Sequence, residues 1–169
     1  MRTCVLFVAA LTLSAPAFAQ QPTDAQIASI VVTATQVDSY AGKLAETKGS
    51  HADVKAFGKQ MASDHARVNA SAVELVTKLK VTPEDNPTSK ALKAGGDKNL
   101  ATLKGLSGAA FDKAYIANEV AYHQQVLDAV DTVLIPSAKN EELKALLVKV
   151  RPAFVSHLEH AKRVQGMLK

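Results

Sequence analysis

The sequence predicts an all-α protein: an up-down four-helix bundle with a short extra helical segment between the second and third long helices. Three observations predict this fold. Apolar residues recur at steps of three and four along four long stretches. Turn-forming residues separate these stretches. No stretch alternates apolar and polar residues as a half-buried strand would. At about 25 residues each, the helices would be about 37 Å long, and such rods with short turns pack as a bundle.

Residues 1–19, MRTCVLFVAALTLSAPAFA, have the features of a secretory signal peptide. The basic Arg2 precedes an apolar stretch from Cys4 to Leu13, and the small Ala17 and Ala19 flank Phe18 in an A-x-A-type cleavage site that ends at residue 19. We therefore expect a mature domain of residues 20–169, exported to the bacterial periplasm or beyond. Cys4 is the sole cysteine, so the mature domain would have no disulfide or thiol chemistry.

Composition and motifs exclude several classes of function. The formal net charge is +4, but the lysines are scattered as on solvated helix faces, which argues against a nucleic-acid partner. No further stretch reaches the roughly 20 apolar residues of a membrane span. The mature sequence has no thiol, no G-x-S-x-G elbow and no glycine-rich phosphate loop, so a conventional hydrolase is disfavoured. Whether the protein is an enzyme stays open.

The first two helices have clear starts. TDAQ at residues 23–26 predicts a helix N-cap of the S/T-x-x-E/Q kind. Apolar residues then follow at helical spacing, and the helix should end near Lys48 and Gly49. SHAD at residues 50–53 opens the second helix, whose apolar seam continues to Leu79. Both helices would therefore present one apolar face to a common core.

The second half of the chain is more irregular. KVTPEDNPTS is a break, and Gly95-Gly96 divides residues 89–106, which predicts one or two short helical pieces. A third long helix should run from about Ala109 to Leu134. After the turn IPSAKN, the last helix should run from near Glu141 to about Leu168, with a bend at Pro152.

Polar residues interrupt the apolar seam of every long helix. His157 occupies a core position of the last helix and His123 one of the third. The corresponding position of the second helix falls on Asp64 or His65, and Asp38 lies on the seam of the first. Each lies near the middle of its helix, and mid-helix residues of an antiparallel bundle meet in one layer. We therefore expect Asp38, His65, His123 and His157 to converge.

Two explanations fit such a layer: a closed network of hydrogen bonds, or a metal site. Buried polar groups without partners cost about 1–3 kcal/mol each. Three imidazoles and a carboxylate suit Fe, Zn, Mn or Cu, and spacing does not choose among them. Glu119, one turn before His123, is either a further ligand, an acceptor that fixes an imidazole, or a surface glutamate. The candidate metal ligands are thus His65, His123, His157, Asp38 and Glu119.

Other polar residues have simpler expected roles. His160 should lie at the rim of the layer, and His51 should be exposed near a helix start. Asp112, in the first turn of its helix, would interact with the helix dipole. Tyr115 should be a core aromatic residue with a solvated hydroxyl group. Asp64 either orients a ligand or faces solvent.

Three segments together resemble a bacterial exported family called domain of unknown function 4142: MASDHARVN, FDKAYIANEVAYH and HLEHA. The resemblance covers about residues 24–168 and implies a ferritin-like four-helix bundle. It places the family's histidines at His65, His123 and His157, and its FD-x-x-Y motif at Phe111, Asp112 and Tyr115. Family members commonly have a glutamate where this chain has Asp38.

The sequence departs from true ferritins, which carry Glu-x-x-His pairs on two helices. Ala62, Val120 and Phe154 stand where those glutamates would be, so a carboxylate-rich di-iron site is not supported. Two functions follow. The first is metal binding for storage, buffering or stress protection. The alternative is a non-enzymatic structural or interaction module of the cell envelope, whose buried layer only specifies packing. An envelope partner and the oligomeric state stay open.

Overall fold

The structure, a computed structural model, describes residues 21–168. Over that range the chain forms six α-helices and a π-helical turn, with no strand. They are α1 (Asp24–Lys48), α2 (Ala52–Lys78), α3 (Pro87–Gly105), α4 (Gly108–Ala129), the π-helical turn (Val130–Leu134), α5 (Ile135–Ser137) and α6 (Glu141–Met167). The predicted all-α bundle fold is confirmed. None of the helices described here is long and apolar enough to span a bilayer. The predicted signal peptide lies outside the described residues.

Side chains cap the starts of α1, α2, α3 and α6, whereas Ser107 makes no side-chain cap bond at α4. Thr23 and Gln26 form the predicted capping box at α1. At α2 the cap is His51, whose Nδ1 accepts a hydrogen bond from the backbone N–H of Asp53. Asn86 caps α3 and Asn140 caps α6 in the same way. Because these caps fix where each helix starts, they also fix the level at which mid-helix residues meet.

α1 and α2 pack against each other along most of their length, and α4 packs against α6. The closest approach of the first pair is at Gly42 and Gly58. A Cβ atom built on Gly58 would lie 2.7 Å from the carbonyl oxygen of Gly42, and one on Gly42 would lie 2.6 Å from the carbonyl oxygen of Gly58. The two backbones are therefore in direct contact, one helical turn after Asp38 and two turns before His65.

α3 is a single helix of 19 residues, so the prediction of one or two short pieces divided at Gly95-Gly96 is wrong. Gly96 is buried against α1, where a Cβ atom would lie 2.5 Å from Cγ1 of Val37. The low helix propensity of glycine is overridden because Gly96 allows α3 to pack closely on the bundle. α3 packs mainly against α1 and only slightly against α4.

The third long helix begins at Gly108 and is regular only to Ala129, although the prediction extended it to Leu134. Residues Val130–Leu134 are π-helical, and the N–H of Ile135 bonds to the carbonyl of Val130. Pro136 follows at once and has no N–H with which to continue an α-helical ladder. α6 has the predicted bounds to within one residue and contains Pro152. A bend at Pro152 stays a prediction.

Replacing Gly58 by alanine should lower the free energy of unfolding by about 1–3 kcal/mol, because the added methyl group forces α1 and α2 apart. The matched control is Gly95→Ala, in α3, where a Cβ atom would have nothing within 4 Å. That change should raise stability by about 0.5–1 kcal/mol through helix propensity. Urea unfolding followed by circular dichroism measures both. Equal effects of the two substitutions would contradict the direct backbone contact.

Candidate metal centre

Asp38 is the carboxylate at the centre of the buried polar layer. It lies on α1 and is 1 % exposed. Its Oδ2 lies 2.9 Å from Nε2 of His65 on α2 and 3.4 Å from Nε2 of His123 on α4. Among residues 21–168 these two histidines are its only ion-pair partners, and no lysine or arginine of that range is within 4 Å. Within the described range, the carboxylate of Asp38 therefore has only imidazoles within ion-pair distance, and these carry a charge only when protonated.

The three imidazole rings form a nearly equilateral triangle. Ring centroids are 5.5 Å apart for His65 and His123, 5.3 Å for His65 and His157, and 5.4 Å for His123 and His157. All three residues are buried. The ring of Phe154 stacks on that of His65 at 5.4 Å with planes 7° apart. The three rings are thus strongly tilted against one another, with one nitrogen of each within 4.8 Å of the others.

Hydrogen bonds select which nitrogen of two of the rings carries the proton. Nδ1 of His123 lies 3.0 Å from the backbone carbonyl oxygen of Glu119, so Nδ1 donates and Nε2 keeps its lone pair. Nε2 of His157 lies 2.9 Å from Oδ2 of Asp64, so Nε2 donates and Nδ1 keeps its lone pair. Neutral His123 and His157 therefore each have one basic nitrogen available for a ligand.

Several polar atoms of the layer are buried without a hydrogen-bond partner in the described part of the chain. The contact between Asp38 and His65 is short, but it lies outside hydrogen-bond geometry. The unpartnered atoms are both carboxylate oxygens of Asp38, both nitrogens of His65, Nε2 of His123, Nδ1 of His157 and Oε2 of Glu119. Leaving such atoms unpaired costs about 1–3 kcal/mol each. The network of hydrogen bonds is therefore not closed.

The two buried carboxyl groups titrate in opposite directions. Burial acts to raise the pKa of Asp38, but the electrostatic attraction of His65, and then of His123, outweighs it and lowers that pKa from 3.8 to about 2. Burial, and then the negative charge of Asp38, raise the pKa of Glu119 well above 4.5. The layer thus favours the ionised form of Asp38 and the protonated form of Glu119.

Burial also keeps histidines neutral. It lowers the pKa of His123 from 6.5 to about 4, against the opposing effect of Asp38. It lowers the pKa of His157 as well, although the hydrogen bond to Asp64 acts in the opposite direction. Neutral imidazole is the form that binds metals. Protons therefore compete weakly for His123 at neutral pH.

The distances suit a small transition-metal ion. Two ligand atoms that are each about 2.1 Å from an ion in a tetrahedral site are about 3.4 Å apart. Oδ2 of Asp38 and Nε2 of His123 are separated by 3.4 Å, and Oδ2 of Asp38 and Nε2 of His65 by 2.9 Å. A second group joins Asp38, Glu119 and His123, again with ligand atoms within 4.8 Å. The structure thus brings together all five residues that the sequence suggested as ligands.

Asp64 lies at the edge of the layer, and His65, not Asp64, takes the core position of α2. The side chain of Asp64 is 21 % exposed and accepts hydrogen bonds from His157, Gln60 and Arg67. Of the two predicted roles, orientation of a ligand fits this contact. His160 bonds to Gln60 at 3.0 Å and lies outside the triangle, as expected for a rim residue. The contact with His157 crosses between helices, and no spacing in the sequence indicates it.

Three of the simpler expectations can now be checked. Asp112 is beyond the first turn of α4, so its predicted interaction with the dipole of that helix is wrong. It accepts hydrogen bonds from the backbone N–H groups of Ser50 and His51 instead, which secures the turn before α2. Tyr115 is in the core, but its hydroxyl group is buried and not solvated. His51 has 41 % of its side chain exposed.

Comparison with known proteins identifies one family. The family model described as Domain of unknown function (DUF4142) matches residues 9–164. A search of curated proteins and a search of solved structures gave no significant match.

Replacing Glu119 by glutamine should change how stability depends on pH in the metal-free protein. A glutamate with a raised pKa contributes stability that falls as pH rises above 4.5, whereas His123 and His157, with lowered pKa values, contribute stability that is lost as pH falls below 6.5. In the wild type these effects oppose each other. Without Glu119, the free energy of unfolding should rise with pH more steeply than in the wild type between about pH 5 and 6.5, by at most about 1.4 kcal/mol per pH unit.

Urea unfolding in EDTA across this range measures the two slopes. The matched control is Glu159→Gln, because Glu159 is an exposed glutamate paired with Lys162. This control should keep the wild-type slope. An unchanged slope in Glu119→Gln would mean that Glu119 ionises normally in the folded protein.

Proposed function

Since the chain belongs to the family described as Domain of unknown function (DUF4142), whose description names no activity, we propose a function from the buried residues themselves. The protein is an exported, periplasmic bundle that binds a transition-metal ion for storage, buffering or stress protection. His65, His123, His157 and Asp38 are the ligands. Glu119 lies beside them as a further ligand or as a partner of His123.

The observation that supports this proposal best is the group of unpartnered lone pairs on one side of the layer. Nε2 of His123 and Nδ1 of His157 are left free because the other nitrogen of each ring is held by an acceptor. Asp38 adds a carboxylate that stays ionised. A divalent cation would bind to these atoms together and neutralise the buried negative charge of Asp38. Solvent stabilises the charge of an exposed carboxylate in the same way.

The ligand types limit the choice of metal. Three imidazole nitrogens with one carboxylate oxygen suit Zn²⁺, Fe²⁺, Mn²⁺ and Cu²⁺, which share these preferences. Ca²⁺ and Mg²⁺ prefer oxygen ligands and are disfavoured. The second group, of Asp38, Glu119 and His123, offers a more oxygen-rich alternative around the same carboxylate. The metal that binds most tightly in a competition among these four would therefore indicate which of the two ligand groups is used.

Metal content of the mature chain tests the proposal. After dialysis against equal trace amounts of Fe, Zn, Mn and Cu, the wild type should retain about one ion per chain by mass spectrometry. His123→Ala should retain almost none, because it removes a central ligand. The matched control is His51→Asn, which removes a partly exposed histidine distant from the layer but keeps a side chain that can cap α2, and it should keep the wild-type stoichiometry.

The alternative function is a structural module of the cell envelope in which the layer only specifies packing. The direct contacts of Asp38 with His65 and His123 favour it, since a carboxylate and imidazoles can form a purely structural polar network. On this alternative the wild type retains no stoichiometric metal. The combined replacement of His65, His123 and His157 by leucine would then leave a folded protein of equal or higher stability, which contradicts metal binding as the purpose of the layer.

Asp64 should tune metal affinity without being a ligand. Removing an acceptor that orients a ligating imidazole typically weakens metal binding by about 10- to 100-fold. We expect that loss for Asp64→Ala, and a smaller loss for Asp64→Asn, whose amide oxygen still accepts from Nε2 of His157. Glu74→Ala, an exposed acidic residue of the same helix, is the control. Isothermal titration with Zn²⁺ measures the affinities. Equal affinity in Asp64→Ala and Glu74→Ala would remove Asp64 from the site.

A further inference from the structure

An apolar cavity lies directly beside the histidine layer. Its volume is about 220 Å³, and its wall includes the side chains of His65, His123 and Phe154. The remainder comes from α1, α3, α4, the π-helical turn and α6, and is mainly aliphatic. The cavity therefore shares a wall with the proposed ligands but extends away from Asp38 and Asp64, neither of which lines it.

Two of the three hydroxyl groups in the wall, those of Thr35 and Tyr122, are already engaged, and the third, that of Thr88, lies at the exposed end of the cavity. Oγ1 of Thr35 donates to the carbonyl oxygen of Val31 at 2.9 Å. The hydroxyl of Tyr122 donates to the carbonyl oxygen of Ala34 at 2.9 Å. Neither hydrogen is free to bond to an occupant. The cavity would thus penalise a charged or strongly polar molecule and accept an apolar one.

The π-helical turn contributes to the shape of the cavity. Val130 and Leu134, the first and last residues of that turn, both line it, and so does Ala129 just before the turn. The extra residue of a π-turn widens the helix locally, and such turns are frequent at functional sites. A wider helix at this position would leave the side chains of Val130 and Leu134 on the wall of the cavity, so that they do not fill it.

The cavity reaches the surface between α3 and α4. Thr88 on α3 and Gln125 on α4 are the exposed members of its lining. These two helices pack only slightly against each other. A small molecule could therefore pass between them without disturbing the extensive contact of α1 with α2.

We propose that this cavity binds a neutral, mainly apolar small molecule of about the size of a substituted benzene. A dry apolar cavity of about 150 Å³ in another protein binds benzene, so this larger one has room for a few more atoms. The occupant would lie against His65 and His123. The inference does not depend on the proposed metal, because the cavity is formed by the protein alone.

Titration of the mature protein with toluene in EDTA tests the inference, with binding followed through methyl resonances by NMR. We expect saturable shifts of the resonances of Val31, Val130 and Leu134. Benzoate, which has a similar ring and a negative charge, should cause none. Ala129→Leu fills part of the cavity and should weaken toluene binding at least about tenfold. Ala121→Leu, at an exposed position of the same helix, should bind toluene as the wild type does.

Ala34→Leu is a second filling variant, on α1, for use if Ala129→Leu does not fold. The inference is overturned if the wild type shows no saturable shifts, if benzoate binds as tightly as toluene, or if the folded filling variants bind toluene unchanged. Because the titration excludes metal, none of these results bears on whether the histidines bind an ion. The two proposals can therefore fail separately.

Discussion

A carboxylate that stays ionised in the middle of the bundle is the constraint on which the other features depend. Asp38 is 1 % exposed, and its partners in the described chain are imidazoles from two other helices. A buried charge without partners costs several kcal/mol. α2 and α4 must therefore place His65 and His123 at the level of Asp38, which fixes the axial position of each helix against α1. α6 completes the layer with His157.

Packing around the layer enforces that arrangement. The glycine pair at residues 42 and 58 lets α1 and α2 touch, which brings His65 within 2.9 Å of Asp38. Phe154 covers one face of His65 and leaves its edge toward the carboxylate. A bulkier residue at either glycine would separate the two helices by about the width of a methyl group. The distances from Asp38 to His65 and His123 would then both increase. The geometry of the site is thus a consequence of backbone contact some distance from it.

The sequence predicted the long helices from the spacing of their apolar residues. It predicted the layer because each polar residue lies near the middle of its own helix. It predicted α3 poorly, since the effect of Gly96 depends on Val37 in another helix. The π-helical turn was missed because Pro136 indicates only that one α-helical hydrogen bond is lost. It does not indicate which hydrogen bonds the preceding residues form instead. Seam periodicity left Asp64 and His65 as alternatives, and the family resemblance favoured His65. The packing of α2 against α1 and α6 separates them in the structure. Contacts between helices, such as that of Asp64 with His157, have no periodic signature.

The layer has two different sides, and that asymmetry bears on what it can do. Toward Asp64, Gln60 and His160 it continues as a chain of hydrogen bonds to the surface. Toward Phe154 and Leu147 it meets an apolar cavity. Charged species would reach the histidines from the polar side, where Asp64 attracts cations, while the apolar side keeps the dielectric constant low and strengthens every interaction of Asp38. A cation and an apolar molecule, if bound as proposed, would therefore reach the same imidazoles past different sets of residues.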